Sequence, residues 1–193
     1  MPNDKAALRS RLLAERRALD PDTRERAARA LAGHAASLVP PGGTVAAYVS
    51  VGAEPGTRPL LAALAAAGAR VLLPVLLPDN DLDWAPYEGD TRLVPAGRGL
   101  LEPVGARLGA EAVTAADVVL LPGLAVDRRG VRLGRGGGSY DRVLARLARA
   151  GAHPLLATLL YSHELREAVP AEPHDLPVDA VVTPDGVTRF SPR

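Results

Sequence analysis

Apolar positions in the first forty residues recur at helical spacing, with one interruption. Leu8, Leu12 and Leu19 fall on one helix face, and Asp20-Pro21-Asp22 breaks the run. Asp22-x-x-Glu25 has the form of a capping box and Pro21 suits a helix start, so a second helix is expected. Ala28, Leu31, Ala35 and Leu38 mark its apolar stripe, and Pro40-Pro41-Gly42-Gly43 ends it.

Beyond residue 43 the period changes. Residues 44–50, 70–76, 81–86, 117–121, 153–160 and 178–182 are short apolar runs that predict strands. Helices are expected over 58–67, closed by Gly68 as a left-handed cap, and over 139–150. Residues 88–109 and 122–138 read as loops. Strands alternating with helices predict an α/β fold: one domain over residues 1–193, a three-layer sandwich around a largely parallel sheet, with N-terminal helices. Such sheets bind ligands beyond the carboxyl ends of their strands.

Composition narrows the function. A net charge of +1 argues against a nucleic-acid binder. The absence of cysteine excludes thiolate chemistry and disulfides. No stretch has signal-peptide order or the length of a membrane span, so a cytoplasmic protein is expected, with no membrane partner. Its expected oligomeric state is a monomer or weak homodimer. Aromatics make up only 3%, so each one near a candidate site carries information.

Chemistry concentrates in residues 132–141, Arg-Leu-Gly-Arg-Gly-Gly-Gly-Ser-Tyr-Asp, between an expected strand and an expected helix. Gly136, Gly137 and Gly138 let the backbone turn its N–H groups inward, and the helix start adds more. Together these suit a phosphate. Arg132 and Arg135 bring full positive charge, and Asp141 offers a hard oxygen for Mg2+. No Gly-Lys-[Ser/Thr] follows, so this is not a Walker loop.

Residues 121–127 (Leu-Pro-Gly-Leu-Ala-Val-Asp) and 132–142 resemble the signature of the 5-formyltetrahydrofolate cyclo-ligase family. Lys5-x-x-Leu8-Arg9, residues 48–54 (Tyr-Val-Ser-Val-Gly-Ala-Glu), Glu102-Pro103 and Glu172-Pro-His-Asp175-x-x-x-Asp179 resemble further family elements, in family order. The resemblance implies ATP-dependent cyclisation of 5-formyltetrahydrofolate to 5,10-methenyltetrahydrofolate, with release of ADP and phosphate through a phosphorylated formyl oxygen. It implies ATP as co-substrate, Mg2+, and small-molecule partners only.

By the same resemblance Lys5 and Arg9 reach ATP phosphates, with Arg132, Leu133, Gly134, Arg135, Gly136, Gly137, Gly138, Ser139 and Tyr140 around the nucleotide. Glu54 hydrogen-bonds the pterin end of the folate and Val49 lines its pocket, which the stretch Arg135–Ser139 also borders. Asp141 and Asp175 resemble the magnesium ligands, and catalysis falls to Arg135 and Asp141. His174 reads as structural or orienting, and Asp127 as a turn residue. Trp84 and Tyr87 either wall the folate pocket or pack in the core.

The chain departs from the family twice. Ser139 stands where an aromatic is common, and Val126 where Phe is frequent. Loss of both rings would weaken folate stacking by about 1–2 kcal/mol. Two other functions stay open on the sequence: another small-molecule kinase or ligase sharing the phosphate loop, and a non-catalytic folate- or nucleotide-binding regulator.

Overall fold

The computed structural model describes residues 2–172 and 175–190, with side chains from Asp4 onward. His174 lies outside the described residues. Helices α1 (Pro2–Ala18) and α2 (Pro21–Ala36) come first, followed by strand β1 (Thr44–Ala46), helix α3 (Arg58–Ala66) and strands β2 (Arg70–Leu76) and β3 (Leu82–Pro86). A hairpin of β4 (Leu93–Pro95) and β5 (Leu101–Pro103) precedes β6 (Val118–Leu121), β7 (Ala125–Asp127) and β8 (Arg132–Leu133). Helix α4 (Ser139–Ala150), β9 (Leu155–Leu159), β10 (Leu165–Arg166), β11 (Ala180–Thr183) and β12 (Gly186–Arg189) complete the chain.

Seven strands form the main sheet, in the order β12-β11-β9-β6-β1-β2-β3. The five central strands are parallel, and the two edge strands β12 and β3 are antiparallel to their neighbours. Both faces are covered, which explains the unbroken apolar runs. On β6, Val118 and Leu120 face one side and pack with Leu31 of α2 and with Leu60, Leu61 and Leu64 of α3. Val119 and Leu121 face the other side, against Val143, Leu144 and Leu147 of α4. The three layers are therefore α2 and α3, the sheet, and α4. Helix α1 stands apart: Leu12 packs on Leu124, Ala125 and Leu133 of a small sheet ordered β10-β7-β8.

The helix-end chemistry is partly as expected. Gly68 adopts φ +78°, and the Gly68 and Ala69 N–H groups donate to the carbonyls of Ala65 and Leu64, a complete Schellman closure. The cap of α2 is Asp20 rather than Asp22. The Asp20 carboxylate accepts from the Thr23 N–H at 2.9 Å, with Pro21 in the first helical turn. The cap thus lies two residues before the Asp22-x-x-Glu25 pattern.

Several strand limits also differ. Residues 47–49 are buried but lie beyond the strand, which ends at Ala46 with a last bond from the Ala47 N–H to the Leu72 carbonyl, because burial and pairing are separate properties. Residues 88–109 hold the β4–β5 hairpin, and residues 122–138 hold β7 and β8. Asp127 is the expected turn residue: its buried carboxylate accepts from the N–H groups of Arg129, Val131 and Val169. Trp84 is a core residue with no exposed surface, and Tyr87 packs against the core with its hydroxyl on Asp90, so neither walls a pocket. Val126 is likewise fully buried in the core.

Candidate active site

From β1 the chain proceeds through β2 and β3 to one side of the sheet, then from β6 through β9 and β11 to the other. The boundary between β1 and β6 is thus a topological switch point, where the loops leaving two neighbouring parallel strands diverge and open a crevice. A cavity of about 580 Å³ lies there. Tyr48, Val49, Val51 and Glu54 enter it from the segment after β1, and Pro122 from the end of β6. The opposite wall is Arg132 to Asp141, running from β8 into α4. Lys5 and Arg9 project from α1, and Asp175 from the C-terminal loop. The residues that the family resemblance assigned to nucleotide, folate and metal line this cavity, whereas Val126, Trp84 and Tyr87 do not.

The loop before α4 is built for close approach. Gly136 and Gly138 take φ +92° and +78°, which a side chain would strain. Gly138 is the cap residue of α4 and supplies no side-chain acceptor, so the first N–H groups of the helix are left for something else. A Cβ on Gly134 would lie 2.8 Å from Nη1 of Arg132. That nitrogen donates to the Pro122 carbonyl at 2.9 Å, and Nη2 donates to Asp141 Oδ1 at 3.1 Å. Only 7% of the Arg132 side chain is exposed, and its Nε is buried without a partner. Burial lowers the Arg132 pKa, offset in part by Asp141. A buried, incompletely paired guanidinium beside a nest of N–H groups is a strong anion attractor.

The remaining charges pair across the cavity. Arg135 Nη1 donates to Glu54 Oε1 at 3.0 Å, while Glu54 Oε2 accepts from the Val51 N–H at 2.8 Å. Lys5 Nζ donates to Glu172 at 2.9 Å and to Asp175 at 2.8 Å. Burial lowers the Lys5 pKa, but the bonds to Asp175 and Glu172 outweigh it and the net shift is upward. Arg9 donates through Nε to the Gly134 carbonyl at 2.9 Å, so it braces the loop as well as adding charge. The Tyr140 hydroxyl is buried with no partner, and burial pushes its pKa well up.

A family model for the 5-formyltetrahydrofolate cyclo-ligases matches residues 1–184. The chain belongs to the 5-formyltetrahydrofolate cyclo-ligase family. Within it, the chain is 46% identical to a 5-formyltetrahydrofolate cyclo-ligase of Mycolicibacterium smegmatis, over 95% of both chains. It is 36% identical to the Escherichia coli K12 cyclo-ligase, over 76% of this chain and 81% of that one. The solved structure of Aquifex aeolicus 5,10-methenyltetrahydrofolate synthetase superposes with a TM-score of 0.82 at 28% identity, covering 98% of this chain and 94% of that chain.

Sequence reasoning did not find the apolar wall of this cyclo-ligase cavity: Tyr48, Pro74, Leu76, Leu82, Leu100, Leu101 and Leu144. Those side chains come from five separate segments, and no local pattern marks them as neighbours. Glu102, part of a recognised family element, accepts from the Leu76 N–H at 3.0 Å and so holds the end of β2 at the cavity. Val126, expected to matter for folate stacking, is not at the cavity; Ser139 is. For Mg2+, no group of three His, Asp or Glu side chains converges among the described residues. Asp141 and Asp175 nonetheless border the anion-attracting loop, and one or two carboxylates completed by phosphate oxygens is a usual magnesium donor set. As donors the two carboxylates suit such a cation, and in this structure each is ion-paired, Asp141 with Arg132 and Asp175 with Lys5. Among the described residues no helix is long and apolar enough to cross a membrane.

Proposed function

We propose that this protein converts 5-formyltetrahydrofolate to 5,10-methenyltetrahydrofolate at the expense of ATP, releasing ADP and phosphate through a phosphorylated formyl oxygen. The observation that carries this reading is that the glycine–arginine loop and Glu54 face one cavity and meet through the Arg135–Glu54 contact. A phosphate-binding element and a buried carboxylate suited to a pterin thus lie within one side chain's reach of each other.

An amide-like formyl oxygen is a poor leaving group. Its attack on the γ-phosphorus expels ADP and leaves the formyl carbon bonded to a phosphorylated oxygen. N10 then adds to that carbon, its proton is lost, and phosphate departs with the oxygen. The protein's task is positioning and charge neutralisation. Arg132, with Gly136–Gly138 and the α4 start, holds the phosphates, and Lys5 and Arg9 close from α1. Arg135 lies between the two substrates and meets the charge that develops on the transferred group. Glu54 accepts from the donor edge of the pterin in charge-assisted bonds. Val49 and Ser139 border the folate, and Leu133 and Tyr140 the nucleotide. Bound Mg2+, held by Asp141 and Asp175, would supply charge neutralisation on the phosphate oxygens.

The test is a spectrophotometric assay for the methenyl chromophore with purified protein, with and without ATP and divalent cation. Product forming only when both are present is the expected result. Equal rates in EDTA and in magnesium would remove the metal-assisted mechanism, and formation without ATP would remove the phosphorylated intermediate.

A further inference from the structure

Arg16 lies on the same face of α1 as Arg9, two turns further on, and is 1% exposed. Its Nε donates to Glu164 Oε1 at 2.6 Å and its Nη2 to Glu164 Oε2 at 2.9 Å, a two-point ion pair with a carboxylate that has no exposed surface. Nη2 also donates to the Gly123 carbonyl at 2.6 Å. Glu164 is itself anchored, accepting from the Tyr161 N–H at 3.0 Å. The proposed chemistry uses none of these groups.

An ion pair this deep is a poor device for stability alone, since well-packed apolar residues usually serve as well or better. What it supplies is direction. The packing of Leu12 against Leu124, Leu133 and Val169 is apolar and tolerates sliding, and Glu15 meets His163 and Arg166 only at 3.5 and 3.6 Å on the half-exposed side of the helix. A forked guanidinium on a fixed carboxylate does not tolerate sliding. A slip of one residue would advance α1 by about 1.5 Å and rotate its side chains by about 100°. Lys5 and Arg9 would then leave the cavity. The two arginines also hold both ends of the segment leading to the phosphate loop, Arg16 at Gly123 and Arg9 at Gly134.

We infer that the buried Arg16–Glu164 pair is a positioning device that sets the register of α1 and so places Lys5 and Arg9 on the nucleotide phosphates. This rests on the nucleotide reading of the cavity given above. Displacements of about 1 Å at a reacting site cost on the order of a hundredfold in rate, so the register of this helix matters to turnover at low ATP.

The test compares wild type with Arg16→Met/Glu164→Gln, in which Met fills the arginine stem's space and Gln keeps an oxygen for the Tyr161 N–H. Glu164→Gln alone is the gentler second variant, and Val181→Ala, in the core beneath α4, is a control for lost stability. Thermal midpoint, kcat and KM for each substrate are measured for all of them. The expected result is a folded protein whose KM for ATP rises roughly tenfold or more, in the same direction as Lys5→Ala with Arg9→Ala, while KM for the folate stays within about twofold. A folded pair variant, or Glu164→Gln, with an unmoved KM for ATP overturns the inference. So does a rise in Val181→Ala equal to that in the pair variant, because lost stability would then explain it. Wild-type protein that shows no ATP dependence sinks the functional reading itself, a result separable from variants that merely match an ATP-dependent wild type.

Discussion

Arg135 and Glu54, 81 positions apart in the chain, form an ion pair across the cavity, with 3.0 Å between Nη1 and Oε1. Only 9% of the Glu54 side chain is exposed, against 51% for Arg135. Glu54 is the fixed partner, held through its other oxygen by the Val51 N–H. Arg135 is the more exposed partner, reaching Glu54 from the solvent side.

Glu54→Gln tests the folate side of this relationship. The amide keeps the shape but loses the charge that strengthens bonds to a pterin donor edge. Folate KM is expected to rise about tenfold or more, corresponding to roughly 1.5–3 kcal/mol for a bond to a charged group. The ATP KM should move far less. Steady-state kinetics with each substrate varied separately checks this, and an unchanged folate constant would show that Glu54 does not touch the folate.

Gly134→Ala tests the loop. The added Cβ would lie 2.8 Å from an Arg132 nitrogen that is pinned between Pro122 and Asp141, so the guanidinium must shift. Weaker ATP binding by about tenfold is expected, with a stability loss of about 1–3 kcal/mol from overpacking. Calorimetric titration with nucleotide and a thermal melt measure both quantities. Unaltered nucleotide affinity would mean that Arg132 is not a phosphate ligand.

Ser139→Tyr probes the departure from the family pattern. Ser139 opens α4, is partly exposed and lines the cavity, so an aromatic there has room to lie along the folate. A gain of roughly 0.5–1.5 kcal/mol in folate affinity is expected, with ATP binding almost unchanged. Weaker folate binding together with a lower thermal midpoint would mean the space is already filled. No change in either would remove Ser139 from the folate contact.

Asp127 carries a pH dependence of stability. Burial alone raises its pKa, but Arg129 and the N–H groups of Arg129, Val131 and Val169 outweigh this, and the folded value lies below the ordinary 3.8. Because the folded value is depressed, the stabilisation is present above the unfolded pKa and is lost as pH falls through the folded one. Asp127→Asn is therefore expected to cost about 1–3 kcal/mol at neutral pH and to flatten the acid limb of the stability profile. Denaturant melts between neutral pH and about pH 3 check the sign. A variant that loses stability on acidification as steeply as wild type would assign the acid limb to other carboxylates.

The sequence by itself determined the α/β alternation, the two N-terminal helices and the position of the glycine–arginine loop before α4. Each is written locally, in apolar periods of two or 3.6 residues and in glycines that only certain backbone turns require. It also marked Lys5, Glu54 and Asp175 through family motifs that lie far apart in the chain. Strand limits were legible as burial rather than as pairing, so residues 47–50 read as strand although the ladder stops at Ala46, and the β4–β5 hairpin went unread. Only the tertiary structure decided that Val126 and Trp84 belong to the core rather than to the cavity, since an apolar or aromatic residue looks the same in either place. The Arg16–Glu164 pair was beyond local reading altogether. Its partners lie 148 positions apart, and an arginine in a helix of many arginines carries no mark of burial. Its solvent exposure is set by which helix face the small sheet covers, a property of packing and not of the residues beside it.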